Sequence, residues 1–179
     1  MLAEAEPYAV LSSDLTRALD TARAVADRTG APLILDARLR ELDLGDWQGL
    51  TTEEARQAFP EQHAAWRAGE DVRRGGGETY REAGERAVAC IREALSDLPD
   101  GGTLIAVTHG GTARGAIGCL LGLPEAHWWS FAPLGNTCWT VLVEADRGWR
   151  VERHNAGLGP LVGIATGAYD VGGDLAARR

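Results

Sequence analysis

Short apolar runs and longer runs with helical spacing take turns along the chain. Tyr8-Ala-Val-Leu-Ser12 is brief and apolar, as a buried strand is, and Ser12-Ser13-Asp14 offers N-caps for a helix starting near Leu15. Leu15, Ala18, Leu19, Ala22, Val25 and Ala26 then recur on one helical face, and Gly30 stands where that helix would stop. Leu33-Ile34-Leu35 predicts a second strand. A β-α-β unit of this kind signals a parallel sheet covered by helices.

From Asp36 to Leu50 no period holds, which predicts a long ordered loop, and such loops are often functional. Thr51-Thr-Glu-Glu54 has capping-box spacing and opens a helix that stops near Pro60, followed by a second short helix carrying His63 and Trp66. Arg73-Arg-Gly-Gly-Gly-Glu78 breaks the pattern. Thr79 through Leu98, with Thr79 and Glu82 again at capping-box spacing, predicts the longest helix, burying Ala83, Ala87, Val88, Ile91, Ala94, Leu95 and Leu98. Thr103-Leu-Ile-Ala-Val-Thr108 is a continuous apolar strand of the kind buried on both sheet faces, and it ends in His109-Gly110-Gly111. A helix over about Thr112 to Leu121 follows, then two strands near 137–144 and 149–154 joined as a hairpin by Ala-Asp-Arg-Gly. The glycine-rich stretch after Asn155 shows no sustained period, so residues 156–179 are expected to form a loosely ordered tail behind a single domain of residues 1–155.

Composition narrows the chemistry. The 179 residues carry a net charge of -8, and all 18 basic side chains are Arg. Without Lys there is no Walker A loop and no Schiff base, so a bound phosphate must be held by Arg. The acidic balance argues against broad nucleic-acid contact. No apolar run approaches the length of a membrane span, and a cytoplasmic protein is expected. Cys90, Cys119 and Cys138 lie far apart with no CxxC spacing, which predicts small buried hydrophobes rather than a zinc site; neither metal nor other cofactor is expected.

Three side chains stand out. His109 is where a strand delivers its last residue to a Gly-Gly turn at a helix start, a place that favours anions through free N–H groups; the alternative is a histidine that merely ends the strand. Arg17 lies on the first turn of the helix after Leu11-Ser-Ser13 and could fork over the same anion, although taken alone it is an ordinary surface arginine. Glu41 lies between apolar neighbours that would limit its access to water, and burial suits a carboxyl to donate a proton. Asp43 and Asp46 are close by, and spacing alone does not choose among the three.

Ser12-Ser-Asp-Leu-Thr-Arg17-Ala-Leu-Asp-Thr21, Leu39-Arg-Glu41-Leu-Asp-Leu-Gly45-Asp-Trp47-Gln-Gly49, Gly76-Gly-Glu78 and Val107-Thr-His109-Gly-Gly111, in this order, resemble the histidine phosphatase superfamily, the phosphoglycerate mutase-like group. The resemblance spans roughly Tyr8 to Asn155. It implies a three-layer α/β/α sandwich with a mostly parallel central sheet, and phosphoryl transfer through a phosphohistidine without a metal. Arg17 would clamp the phosphate, His109 would be the second histidine, Gly110 would offer its backbone N–H, and Glu41 would protonate the leaving oxygen.

The chain departs from the family in one respect: the Arg-His-Gly that carries the nucleophile at the end of the family's first strand is absent. None of His63, His127 and His154 follows Arg or precedes Gly. The expectation is that the family's first strand and helix are missing, by truncation or a misplaced start, and that these residues alone turn over little substrate. The implied activity of the complete protein is a phosphomonoesterase for a small phosphorylated metabolite, like the acid phosphatases, sugar-phosphate phosphatases and α-ribazole phosphatase of the family. A non-catalytic module binding a phosphoryl ligand or a protein is the alternative. A phosphoglycerate mutase fits less well, because the segment between Glu41 and Glu78 is short for one. A homodimer is compatible with all three. The mouth of the pocket, which sets the substrate, is expected to be lined by Trp47, Trp66, Tyr80 and the Trp128 region.

Overall fold

The computed structural model describes residues 4–157. Strand β1 (Ala9–Ser12) leads into helix α1 (Thr16–Thr29), which Gly30 ends in a left-handed conformation, and β2 (Leu33–Leu35) returns parallel to β1. β3 (Leu104–Val107) pairs with the other edge of β1, so the sheet order is β2-β1-β3, all parallel. β1 is buried along its whole length. Its Val10 packs with Ala22 and Ala26 of α1, while Leu11 faces Ala87 and Val88 of α4 (Tyr80–Leu95) and Ala116 and Leu120 of α5 (Gly110–Leu120). Alternation along one strand thereby builds the predicted three layers, with α1 on one face and α4 and α5 on the other.

α4 and α5 cross at glycines. A Cβ on Gly115 would stand 2.1 Å from the Tyr80 carbonyl oxygen, and one on Gly84 would meet the Gly115 backbone at 2.4 Å, so only glycine allows this approach. Two short helices, α2 (Thr52–Ala58) and α3 (Pro60–Arg67), cover a second core built from Leu42, Trp47, Trp66, Tyr80 and Trp128. Both expected capping boxes are present, at Thr51 with Glu54 and at Thr79 with Glu82. The thiols are all free, and burial, with Asp36 nearby, pushes Cys90 up to about 11, which leaves it inert. No helix among the described residues is long and apolar enough to cross a membrane.

Several expectations need correction. β3 is not buried on both faces: Ala106 is exposed and the others are half-buried, because burial in a sheet depends on neighbours and β3 pairs only with β1 among the described residues. β4 (Trp139–Ala145) and β5 (Gly148–Ala156) form the expected hairpin, but as a separate two-stranded antiparallel sheet with register irregularities near Val141. α4 ends at Leu95, and Ile91, Ala94, Leu95 and Leu98 are only half-buried, whereas Gly84 and Cys90 are buried. α5 starts at Gly110 rather than Thr112. Leu15, with no side-chain cap, precedes α1. The glycine-rich segment 158–179 lies outside the described residues.

Candidate active site

Each of the three candidates follows the carboxyl end of a different parallel strand: Arg17 after β1, Glu41 after β2 and His109 after β3. Open α/β sheets bind ligands at that edge. His109 is buried, at 8% exposure, and its Nε2 lies 2.9 Å from the hydroxyl of Ser13, which is itself fully buried. The Ser13 hydroxyl also accepts from the Leu15 N–H at 3.3 Å, so one side chain ties the β3 terminus to the entry of the helix that carries Arg17. Arg17 is exposed on the first turn of α1.

Glu41 joins the same place from the other side. Its Oε1 accepts from its neighbour Leu42 at 2.9 Å and from the Thr112 N–H at 3.2 Å, which sets the carboxylate against the first turn of α5. A Cβ on Gly111 would lie 2.7 Å from that oxygen, so the Gly-Gly turn lets Glu41 reach the helix. His109 and Glu41 are thus joined to a single helix start, where the macrodipole and the first N–H groups favour negative charge. The backbone N–H groups of Gly110 and Gly111 make no hydrogen bond among the described residues.

The loop carrying Glu41 is irregular in conformation but fixed by side chains of other elements. Arg86 of α4 donates to the carbonyls of Arg38 (2.6 Å), Arg40 (2.9 Å) and Glu41 (3.2 Å) while pairing with both oxygens of Glu78. Glu78 in turn accepts from the Asp43 N–H at 3.0 Å, and its own N–H donates to the Asp43 carbonyl at 2.8 Å. The Arg86 hydrogen bond, opposed by burial and helped by the Asp43 N–H, holds the Glu78 carboxyl below the usual glutamate range. Thr108 and Thr112 cap the Leu39 and Arg40 carbonyls, each at 2.8 Å, and Arg40 forks onto Asp14 at 2.6–2.7 Å. Backbone meets backbone where Gly45 faces Gly75: a Cβ on Gly45, whose φ is +51°, would stand 2.0 Å from the Gly75 carbonyl oxygen. The Gly76-Gly-Glu78 motif therefore positions the loop that carries Glu41.

Sequence reasoning missed Ser13, Arg86, Thr108 and Thr112. Ser13 looked like a helix cap, and Arg86 carried no local signal. The pocket-mouth expectation also fails, since Trp47, Trp66, Tyr80 and Trp128 are all buried and belong to the core; Trp128 lies over Gly118 and donates to the Leu123 carbonyl at 2.9 Å. The remaining histidines lie elsewhere: His63 stacks on Trp47, His127 is exposed, and His154 bonds Thr140 and the Ala132 carbonyl.

A parallel sheet with an arginine, a carboxylate and a histidine at its carboxyl edge, two of them meeting at one helix start, defines an α/β protein with its candidate site at that edge. The profile of the histidine phosphatase superfamily (branch 1) matches residues 1–157, and the chain belongs to that superfamily. A glucosyl-3-phosphoglycerate phosphatase from Mycolicibacterium vanbaalenii is 36% identical over 173 residues, which is 87% of this chain and 77% of that protein. The structure of a mycobacterial glucosyl-3-phosphoglycerate phosphatase in complex with VO3 superposes with a TM-score of 0.80 at 35% identity, covering 87% of this chain and 80% of its own. Bacillus stearothermophilus YhfR aligns at 27% identity and a TM-score of 0.75, covering 86% of this chain and 78% of its own.

Proposed function

We propose that this chain binds and processes the phosphate ester of a small phosphorylated sugar or sugar acid, as a metal-independent phosphomonoesterase acting through a phosphohistidine. Glucosyl-3-phosphoglycerate, named for the mycobacterial relatives, is the first substrate to test. The observation that carries the reading is the meeting of the buried His109 and the Glu41 carboxylate at the start of α5. In-line displacement at phosphorus needs charge on the equatorial oxygens neutralised and a proton on the leaving oxygen. Arg17, His109 and the Gly110 N–H supply the first. Glu41, fixed by Arg86 and Thr112 through its own loop, supplies the second.

Turnover depends on a histidine nucleophile, and none of His63, His127 and His154 stands at this helix start. The 179-residue polypeptide by itself is expected to bind phosphate and its analogue orthovanadate but to hydrolyse p-nitrophenyl phosphate hardly at all. Equilibrium binding of orthovanadate tests the site: the account expects saturable binding that Arg17→Ala and His109→Ala each abolish or weaken strongly. Binding unchanged in both variants would place the phosphate elsewhere, and robust hydrolysis by the 179 residues would assign a nucleophile among these histidines. The placement of those three histidines also favours a second reading, a module that holds a phosphoryl ligand without turning it over; binding without turnover in every longer form of the protein would select it.

A further inference from the structure

The contact between Ser13 and His109 fixes more than position. Ser13 is 0% exposed, and among the described residues its hydroxyl meets two groups, the Leu15 N–H at 3.3 Å and His109 Nε2 at 2.9 Å. A hydroxyl carries one proton and two lone pairs. The Leu15 N–H can only donate, so it takes a lone pair. The proton and the second lone pair remain, and His109 Nε2 is the group that faces them. The neighbouring Ser12 hydroxyl is turned away, donating to the Ser13 carbonyl at 2.8 Å.

Two arrangements satisfy the 2.9 Å contact, and they differ in cost. If Nε2 carries a proton, it donates to Ser13, and the Ser13 proton is then buried with no acceptor among the described residues, a desolvation penalty. If Nε2 is bare, the Ser13 hydroxyl donates to it and every polar group of the contact is met. A chain of bonds then runs in one direction, from the Leu15 N–H through the Ser13 hydroxyl to Nε2, each polarising the next. The neutral ring has a single proton, which this second arrangement leaves on Nδ1. Nδ1 is the ring nitrogen bonded to Cγ and hence nearer the main chain, and the main chain at His109 is the start of α5.

We infer that Ser13 is a positioning residue: it holds His109 in the tautomer with its proton on Nδ1, so that the ring offers a phosphate oxygen at the start of α5 a donor instead of a lone pair. Ser13 is fully buried and acts through His109. Its bond from Leu15 ties the same hydroxyl to the entry of α1, the helix that carries Arg17, so the phosphate clamp and the histidine tautomer share one anchor. The role rests on the phosphatase reading, because it presumes a phosphate at His109 and Arg17. The tautomer itself is a property of the ligand-free protein.

Long-range nitrogen–proton correlation spectra of the 179-residue chain test it. They are recorded without ligand at about pH 9, well above the ordinary histidine value, and protonated and bare ring nitrogens resonate far apart. His109→Gln assigns the ring. The wild type should show Nδ1 protonated and Nε2 bare. Ser13→Ala should replace that pattern with a mixture of tautomers, and Ser13→Thr, which keeps the hydroxyl, should restore it; should the added methyl prevent folding, the wild-type and Ser13→Ala spectra decide alone. Orthovanadate affinity should fall about 3- to 10-fold in Ser13→Ala. A wild-type proton on Nε2, or the same tautomer in wild type and Ser13→Ala, would overturn the inference. So would unchanged orthovanadate affinity in Ser13→Ala while Arg17→Ala still weakens binding. If neither variant weakens orthovanadate and the Ser13-dependent tautomer is seen, the phosphate reading fails and the tautomer assignment stands.

Discussion

Two regions of the molecule, the loop that carries Glu41 and the aromatic core, treat polar atoms in opposite ways. In the loop from Asp36 to Gly45, the carbonyls of Arg38, Leu39, Arg40 and Glu41 all accept from side chains of other elements. In the aromatic region around α3, Trp47 Nε1, His63 Nε2, Trp66 Nε1, Arg74 Nε and Arg114 Nε are buried with no partner among the described residues. Each unmet group of this kind costs on the order of 1–3 kcal/mol. In this molecule, pairing marks the loop that carries Glu41, and unmet polar atoms mark the aromatic core.

The largest effect should come from breaking the paired region. Arg86→Met strands the Glu78 carboxylate and the carbonyls it serves, and is expected to cost about 3 kcal/mol in urea denaturation. A loss below about 1 kcal/mol would show that the loop is held by other means. Next in size, Arg17→Ala should lower orthovanadate affinity by about 10- to 100-fold through loss of a charge-assisted contact, while stability stays within about 0.5 kcal/mol. Equal affinity would remove Arg17 from the site.

Acid should loosen the same loop. Glu78 is depressed chiefly by the Arg86 hydrogen bond, so its contribution is fully present above its unfolded value, roughly 4.5, and is lost as pH falls through the lower folded value. Asp36, held at about 2 mainly by hydrogen bonds from Arg38, extends the loss to lower pH. Stability measured from neutral pH downward should therefore begin to fall below about pH 5, and Glu78→Gln should flatten the upper part of that fall. The smallest effect belongs to the unpaired region: Arg114→Met, measured without ligand, should change stability by no more than about 1 kcal/mol, with stabilisation the favoured sign, since it removes a charge that no carboxylate among the described residues neutralises. A loss as large as that of Arg86→Met would erase the contrast between the two regions.

What the sequence showed and hid follows the same division. Local pattern carried α1, β1, β2 and both capping boxes, because apolar spacing and the Thr51–Glu54 and Thr79–Glu82 pairs act within a few residues. The strand-end positions of Arg17, Glu41 and His109 were legible for the same reason. Ala106 defeated the reading of β3, since an apolar run does not reveal whether a second neighbour covers it. Arg86 was hidden because its partners, Arg38 to Glu41 and Glu78, come together only when α4 packs beside the loop. The stacking of Arg74 on Tyr80 and of Arg114 on Trp129 was hidden likewise, because each pair meets only when separate elements pack together.

The central claim, that the phosphate sits at the start of α5 against His109, is tested most directly by the imidazole nitrogen resonances of the four histidines during titration with inorganic phosphate. The chain has only four, at 63, 109, 127 and 154, so each is assignable by single substitution. The account predicts a saturable shift of the His109 resonances, absent in Arg17→Ala, with His63, His127 and His154 unmoved. Saturable binding that leaves His109 unshifted, or that shifts His127 or His154 instead, would contradict it.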